Sequence, residues 1–153
     1  MIRHGLQKKG ICVGLASNQK SKYLKDPVTD ERFKFISEAY FRNHIDNVME
    51  LKAGDNIILI GGEPLIHPKI FGFIKLLKRK GANVSVWTNA RMLANMKFCK
   101  KLSEMIEEIM VVDPADNKED YENISGVNGS WEQSREGIEN WKEMGGKVVH
   151  FHP

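Results

Sequence analysis

Asp55-Asn56-Ile57-Ile58-Leu59-Ile60-Gly61-Gly62-Glu63-Pro64 is the stretch on which the reading of this chain turns. Four consecutive large aliphatic residues, Ile57 to Ile60, run without a polar break into two glycines, a carboxylate and a proline. A short continuous apolar run bounded by turn residues reads as a strand buried on both faces, as in a parallel sheet. Gly61 and Gly62 allow close approach of backbone to a ligand, or φ > 0 without a Cβ penalty. His67-Pro68 then opens a helix, with proline at a first-turn position. A strand, a glycine turn, a carboxylate and a helix in that order make a ligand-binding βα loop at the carboxyl end of a parallel strand.

Outward from this loop the pattern repeats. On the amino-terminal side, Ile11 to Ala16 is a short apolar run, read as a weak strand or a packed loop, and Ser17 to Val28 is a polar loop. A helix capped by Thr29 or Asp30 is predicted to reach Leu51, with Phe33, Ile36, Tyr40, Ile45, Val48 and Leu51 on its inner face. On the carboxyl side, a helix over 68–80 turns Ile70, Phe73, Ile74 and Leu77 inward and loads its end with lysine and arginine. Strands follow at 83–89, 106–112 and 147–152. Helices follow at 94–105, with Phe98, Leu102 and Met105 inward, and at 130–144, with Ile138, Trp141 and Met144 inward. Ser130-Trp131-Glu132-Gln133 has capping-box spacing, and 116–129 reads as a polar loop. Strands separated by helices pair in parallel through right-handed crossovers. The expectation is one α/β domain over 1–153 with about five parallel strands, either an open doubly wound sheet or part of a barrel.

Composition narrows the function. The chain has 153 residues, 41% hydrophobic and 28% charged, which suits one globular domain. A net charge of +3 is small, and the lysines read as solvated helix faces, so nucleic acid is not indicated. No apolar run reaches the roughly 18 residues of a membrane span, and Met1-Ile2-Arg3-His4 does not begin a secretory signal, so cytoplasmic residence is expected. Two cysteines, Cys12 and Cys99, build no disulfide framework, and each reads most simply as a packed residue. His150 and His152, at i and i+2 on a strand, share a face. If that face is the barrel interior, they form a metal or ligand site with Asp113 or Cys12. Glu63 has two readings, a charge-assisted partner for a ligand's ammonium or a cap for the helix after Pro64.

Gly61-Gly62-Glu63-Pro64 after a strand resembles the motif with which radical S-adenosylmethionine (radical SAM) enzymes hold their cofactor's amino group. Three further segments are similar to that family. Tyr23 to Glu31, Y-L-K-D-P-V-T-D-E, resembles its link from cluster loop to first helix. Thr88-Asn89 resembles its T-N-G, with Ala90 in place of glycine. Ile124 to Gln133, I-S-G-V-N-G-S-W-E-Q, resembles its approach to the fourth helix.

The resemblance implies a partial (βα) barrel, open on one side, with about five of the family's six βα units. It implies an S-adenosylmethionine site at Gly61, Gly62, Glu63, Pro64, Thr88, Asn89 and Asp113. It also implies a [4Fe–4S] cluster on three cysteines spaced C-x3-C-x2-C. Laid on this sequence, the third falls on Cys12 and the first two on Gly5 and Lys9, so residues 1–28 read as a degenerate cluster loop and the cluster is expected to be absent. A glycine and an ammonium are not the soft anionic ligands such clusters take. The expected function is a domain that has lost cluster-dependent radical chemistry. It keeps a small-ligand pocket at the G-G-E-P loop, or acts through a homo-oligomer or protein partner that covers the open barrel side. Three other classes stay open: an active enzyme whose cluster is completed by another chain, a structural or regulatory binding module, and a metal hydrolase using His150, His152 and Asp113.

Overall fold

The computed structural model of the protein describes residues 8–20 and 31–152. The fold is α/β. Five strands form one parallel sheet: β1 (Lys8–Cys12), β2 (Asn56–Ile60), β3 (Asn83–Thr88), β4 (Glu108–Val112) and β5 (Lys147–Phe151). Their spatial order is their order in the chain. Every crossover therefore steps the same way, and right-handed crossovers of that kind put all the helices on one face. This selects the partial barrel over the doubly wound sheet.

Alternation along the strands shows which face is covered. Ile11, Ile57, Leu59, Val84, Val86, Ile109 and Val111 are buried against Phe73, Leu77, Leu102 and Trp141 of the helical layer. The other set, including Cys12, Ile58, Ser85, Trp87, Met110 and Phe151, faces the concave side. There the sheet curls. Lys8 on β1 reaches Glu108 on β4 across two strands, and Trp87 meets Phe151 with ring centroids 5.0 Å apart. The sheet does not close, since β1 and β5 are its outer strands. A cavity of about 260 Å³ opens at the amino ends of the strands, beside Lys8, Asn56, Asn83, Ser85 and Glu108. Among the described residues no helix is long and apolar enough to cross a membrane.

The helix over 70–79, α3, buries the four residues its periodicity predicts, Ile70, Phe73, Ile74 and Leu77. The helix α4 (Met96–Ser103) is capped by Asn95, whose side chain accepts from Phe98 N–H at 3.0 Å, and buries Cys99 and Leu102. Between β3 and α4, Arg91–Ala94 forms a 3-10 turn.

Three expected elements change, and Met144, predicted inward, caps the end of its helix and is exposed. The predicted helix from 29 to 51 is broken into α1 (Glu31–Lys34), α2 (Glu38–Asn43) and a π-helical turn, His44–Val48, while Thr29 and Asp30 lie outside the described residues. The break has a cause in the backbone: Phe33 and Lys34 carbonyls accept from Leu15 and Ala16 N–H, and Ile36 N–H donates to Val13. Ser37 then caps α2, accepting from Tyr40 N–H at 3.1 Å. The new phase leaves Phe33, Tyr40 and Val48 exposed, turns Phe41 inward and keeps Ile45 buried as expected. Phe41 stacks on Phe73 with centroids 4.0 Å apart.

The predicted loop at 116–129 contains the helix α5 (Lys118–Ser125). Asn117 caps it through Asp120 N–H at 2.9 Å, and Gly126 ends it at φ 68°. Its Tyr121 is buried. The capping box predicted at Ser130 does not form. The cap of α6 (Ser130–Glu143) is Gly129 at φ 78°, and the buried Ser130 hydroxyl is 2.7 Å from that of Ser125 instead.

Candidate functional site

At the carboxyl end of β2 the chain is zipped to the segment that leaves β1. Val13 N–H donates to Ile60 at 2.9 Å, Gly62 N–H to Gly14 at 3.0 Å and Glu63 N–H to Ala16 at 2.8 Å. The two glycines make this contact possible. Gly61 has φ 152°, and a Cβ there would stand 2.2 Å from the Gly14 carbonyl oxygen. At Gly62 a Cβ would stand 2.4 Å from Ala16 O and 2.5 Å from Leu15 O. The close approach that glycine permits is thus made by the chain's own backbone. None of the loop hydrogen bonds among the described residues ends on the carbonyls of Gly61 or Gly62.

Glu63 is buried at 2% exposure. Its Oε1 accepts from Leu65 N–H at 3.1 Å and from the Thr88 hydroxyl at 2.7 Å, and its Oε2 accepts from Asn89 N–H at 2.8 Å. The first bond caps the 3-10 turn Pro64–Ile66, and Pro64 supplies its fixed φ. The other two tie the end of β2 to the end of β3. Burial in this site pushes the carboxyl up to about 7, against the three hydrogen bonds that favour the charged form.

Thr88 and Asn89 extend the tie. The Thr88 hydroxyl also accepts from Ala90 N–H at 3.0 Å. Ala90 lies in the left-handed region at φ 63°, the conformation that glycine adopts without a Cβ penalty. Asn89 Nδ2 donates to Asn18 Oδ1 at 2.7 Å, and its Oδ1 accepts from Arg91 N–H at 3.0 Å. Arg91 bonds the Asn18 carbonyl and, at 2.9 Å, Gln133 Oε1. Lys20 N–H donates to Ser125 O at 2.7 Å. The segment after β1 is therefore pinned across the ends of β2 and β3 to α5. Asn18 and Arg91 have no motif of their own, and Gln133, the last residue of the Ile124 to Gln133 stretch, enters this network through Arg91.

Asp113, the residue after β4, belongs to a separate group. It is buried at 3% exposure, ion-paired with Arg135, and its Oδ2 lies 2.7 Å from His150 Nδ1. The Arg135 guanidinium carbon stacks 4.3 Å above Trp131. His150 and His152 share a face with Val148, which packs on the helix-side core, and not with Phe151 on the concave side. Cys12 faces the concave side, so these histidines and Cys12 lie on opposite faces of the sheet. Their rings stack at 6.3 Å, and His152 Nδ1 is 3.7 Å from the exposed Asp116. No group of three or more metal-ligating side chains occurs among the described residues.

Cys12 is exposed, where a packed residue was expected, and its thiol contacts Gly14 O at 3.8 Å. It ends β1, and Lys9 is inside the same strand, paired through Nζ with Asp55 at 2.8 Å. Residues three apart in a strand point to opposite faces. Lys9 and Cys12 therefore cannot be two corners of one cluster loop, and Gly5 lies outside the described residues. A loop at the carboxyl end of β1 begins only at Val13, and from there to residue 30 the sequence has no cysteine. Cys99 is buried in the helical layer.

A family model described as the radical SAM superfamily matches residues 20–153. Among curated proteins no sequence matches. The solved structure described as "Native anSMEcpe with bound AdoMet" is similar in fold with a TM-score of 0.72. Its sequence is 14% identical over 94% of this chain and 43% of that one. The complex of the same protein described as having bound AdoMet and the Kp18Cys peptide gives 0.70 at 14% identity, over 94% and 42%. This chain spans less than half the length of those structures.

Proposed function

The chain belongs to the radical SAM superfamily, and from that premise we propose that it is a member without cluster-dependent radical chemistry that keeps a small-ligand pocket at the Gly61–Gly62 turn. The observation that carries the first half is the donor inventory. Of two cysteines in the sequence, one is buried in the helical layer and one ends β1. Three thiolates are needed where the segment after β1 offers none, so the residues do not fit a [4Fe–4S] cluster. No chemical step is assigned through one.

The second half rests on the turn itself. The carbonyls of Gly61 and Gly62 stand at the carboxyl end of a parallel strand, where ligands of such sheets bind. A ligand ammonium would find two acceptors there. Glu63 is already engaged within the chain, Oε1 by Leu65 and Thr88 and Oε2 by Asn89, so a ligand contact at this carboxyl would fall on the second acceptor site of Oε2. Its role is to hold the turn in place. S-adenosylmethionine, or another adenosine bearing an α-amino acid tail, is the ligand class this turn suits.

Calorimetric titration tests the pocket with three probes: S-adenosylmethionine, S-adenosylhomocysteine and 5′-methylthioadenosine. The first two carry the ammonium and are expected to bind. The third lacks it and is expected to bind at least about tenfold more weakly, the loss of one charge-assisted contact. Absence of binding by all three, or equal binding by all three, would refute an ammonium-reading turn. A partner that covers the open barrel side is the second reading, favoured by the exposed Val149 and Phe151 on β5.

A further inference from the structure

The net charge of +3 conceals a strong segregation. Residues 64–103 contain nine lysines and arginines and no carboxylate, whereas residues 104–146 contain twelve carboxylates and three lysines and arginines. The fold gathers these blocks on neighbouring helices. On α3, Lys75, Lys78 and Arg79 are exposed, and on α4, Lys97, Lys100 and Lys101 are exposed, with the same i, i+3, i+4 spacing. The two helices lie side by side, with Phe71 and Phe98 centroids 5.0 Å apart and Lys101 Nζ 4.2 Å from the Phe71 ring. Lys75, Lys78, Arg79, Lys97 and Lys100 form no ion pair among the described residues.

On α6, Glu132, Glu136, Glu139 and Glu143 make one exposed stripe opposite the buried Ile138 and Trp141. Lys118 and Lys142 offset Glu132 and Glu139, and Glu136 and Glu143 form no ion pair among the described residues. The α6 helix packs next to α4 and to the turn before it, where Asn140 Nδ2 donates to Leu93 O at 3.0 Å. The basic and acidic surfaces are therefore adjacent on one outer face.

We propose that this outer face of α3, α4 and α6 is a self-complementary docking surface for a second copy of the chain. A two-fold axis near the α4–α6 boundary lays the cations of one copy on the carboxylates of the other, twice, and closes the assembly. The charge complement is what selects a second copy over a polyanion. A long polyanion lying on the lysine stripes would run onto the α6 carboxylates, whereas a second copy meets opposite charge in both places. Exposed ion pairs are individually weak and are screened by salt, so the dimer belongs to low ionic strength. This surface lies on the helical layer, away from the open side of the sheet, and the inference does not depend on the ligand proposed above.

Light-scattering mass against concentration is the test, with the ionic strength taken from about 0.02 M to about 0.5 M to shorten the Debye length several-fold. A mass that falls from roughly twice the chain's to that of the single chain is expected. Two half-reversed variants sharpen it: Lys75→Glu with Lys97→Glu, and Glu136→Lys with Glu143→Lys. All four positions are exposed, and unchanged thermal melts establish that the variants fold. Each variant alone should be monomeric at low salt. Mixing the two in equal amounts, or combining all four changes in one chain, should restore the dimer. Three outcomes overturn the proposal. One is a strict monomer at low salt across micromolar concentrations. Another is a dimer indifferent to both reversals. The last is a monomer that binds a duplex oligonucleotide, weakened by the lysine changes and strengthened by the glutamate changes, which assigns the face to nucleic acid.

Discussion

Glu63 concentrates the chemistry of the site in one side chain. It is fully enclosed, accepts three hydrogen bonds from two different βα units, and still has its carboxyl pushed up from the ordinary 4.5 to about 7 by burial. Between those values the folded chain holds a proton that the unfolded chain has released. The protonated form is therefore most favourable to folding at the acid end, and that contribution is lost as pH rises from roughly 4.5 through 7. The loss is on the order of 3 kcal/mol. Glu63→Gln removes the titration but sets an amide N–H against one of the three donors, which costs roughly 1–3 kcal/mol. Urea unfolding of both proteins from pH 5 to pH 8 should thus show a gap that narrows with rising pH. The difference between the two isolates Glu63 from His67, whose burial lowers its pKa and acts in the opposite direction. Parallel curves would mean that Glu63 stays charged throughout.

Among the elements, α6 shows how a missing side chain sets the packing. Gly137 is buried, and a Cβ there would stand 2.0 Å from the Ala90 carbonyl oxygen and 3.1 Å from Leu93 Cβ. The 3-10 turn at Arg91–Ala94 can lie on the helix only because that Cβ is absent. Gly137→Ala gains helix propensity of up to about 1 kcal/mol but forces backbone apart, and overpacking of this kind costs about 1–3 kcal/mol or more. A thermal melt should fall by several degrees, at roughly 2–4 °C per kcal/mol for a chain of this size. An unchanged or higher melting point would place α6 differently. For α5, Asn117→Ala should cost about 1 kcal/mol through loss of the cap to Asp120.

The helices α3 and α5 mark what a sequence can carry. The strongly periodic Ile70, Phe73, Ile74, Leu77 set is legible because it is local to one helix. The eight-residue α5 is weakly amphipathic, with one large apolar residue, Tyr121, on its buried face, so its polar composition masks it. Its cap and its terminal Gly126 were readable signals. The division of 31–48 follows from hydrogen bonds to residues 13–16, which no local pattern of the later segment contains.

Across the whole molecule, the parallel α/β order and the glycine turn were legible because each strand's apolar run and each helix's period is written in contiguous residues. The partial barrel was legible through the family resemblance and not from local pattern, because it depends on every crossover stepping the same way. The placement of Cys12 was not legible. The run Ile11 to Ala16 hides where the strand stops, and the register laid on Gly5, Lys9 and Cys12 required a loop where the structure has β1. With that boundary the segment from Val13 to residue 30 carries no thiol, which is the sequence fact behind the proposed lack of cluster chemistry. Anaerobic reconstitution with iron and sulfide, followed by desalting and iron analysis, tests that reading most directly. The account predicts far less than one iron retained per chain and no broad absorbance near about 400 nm, since Cys12 and Cys99 are the two thiols of the sequence and such clusters need three. Retention of about four irons per chain with that absorbance would contradict it.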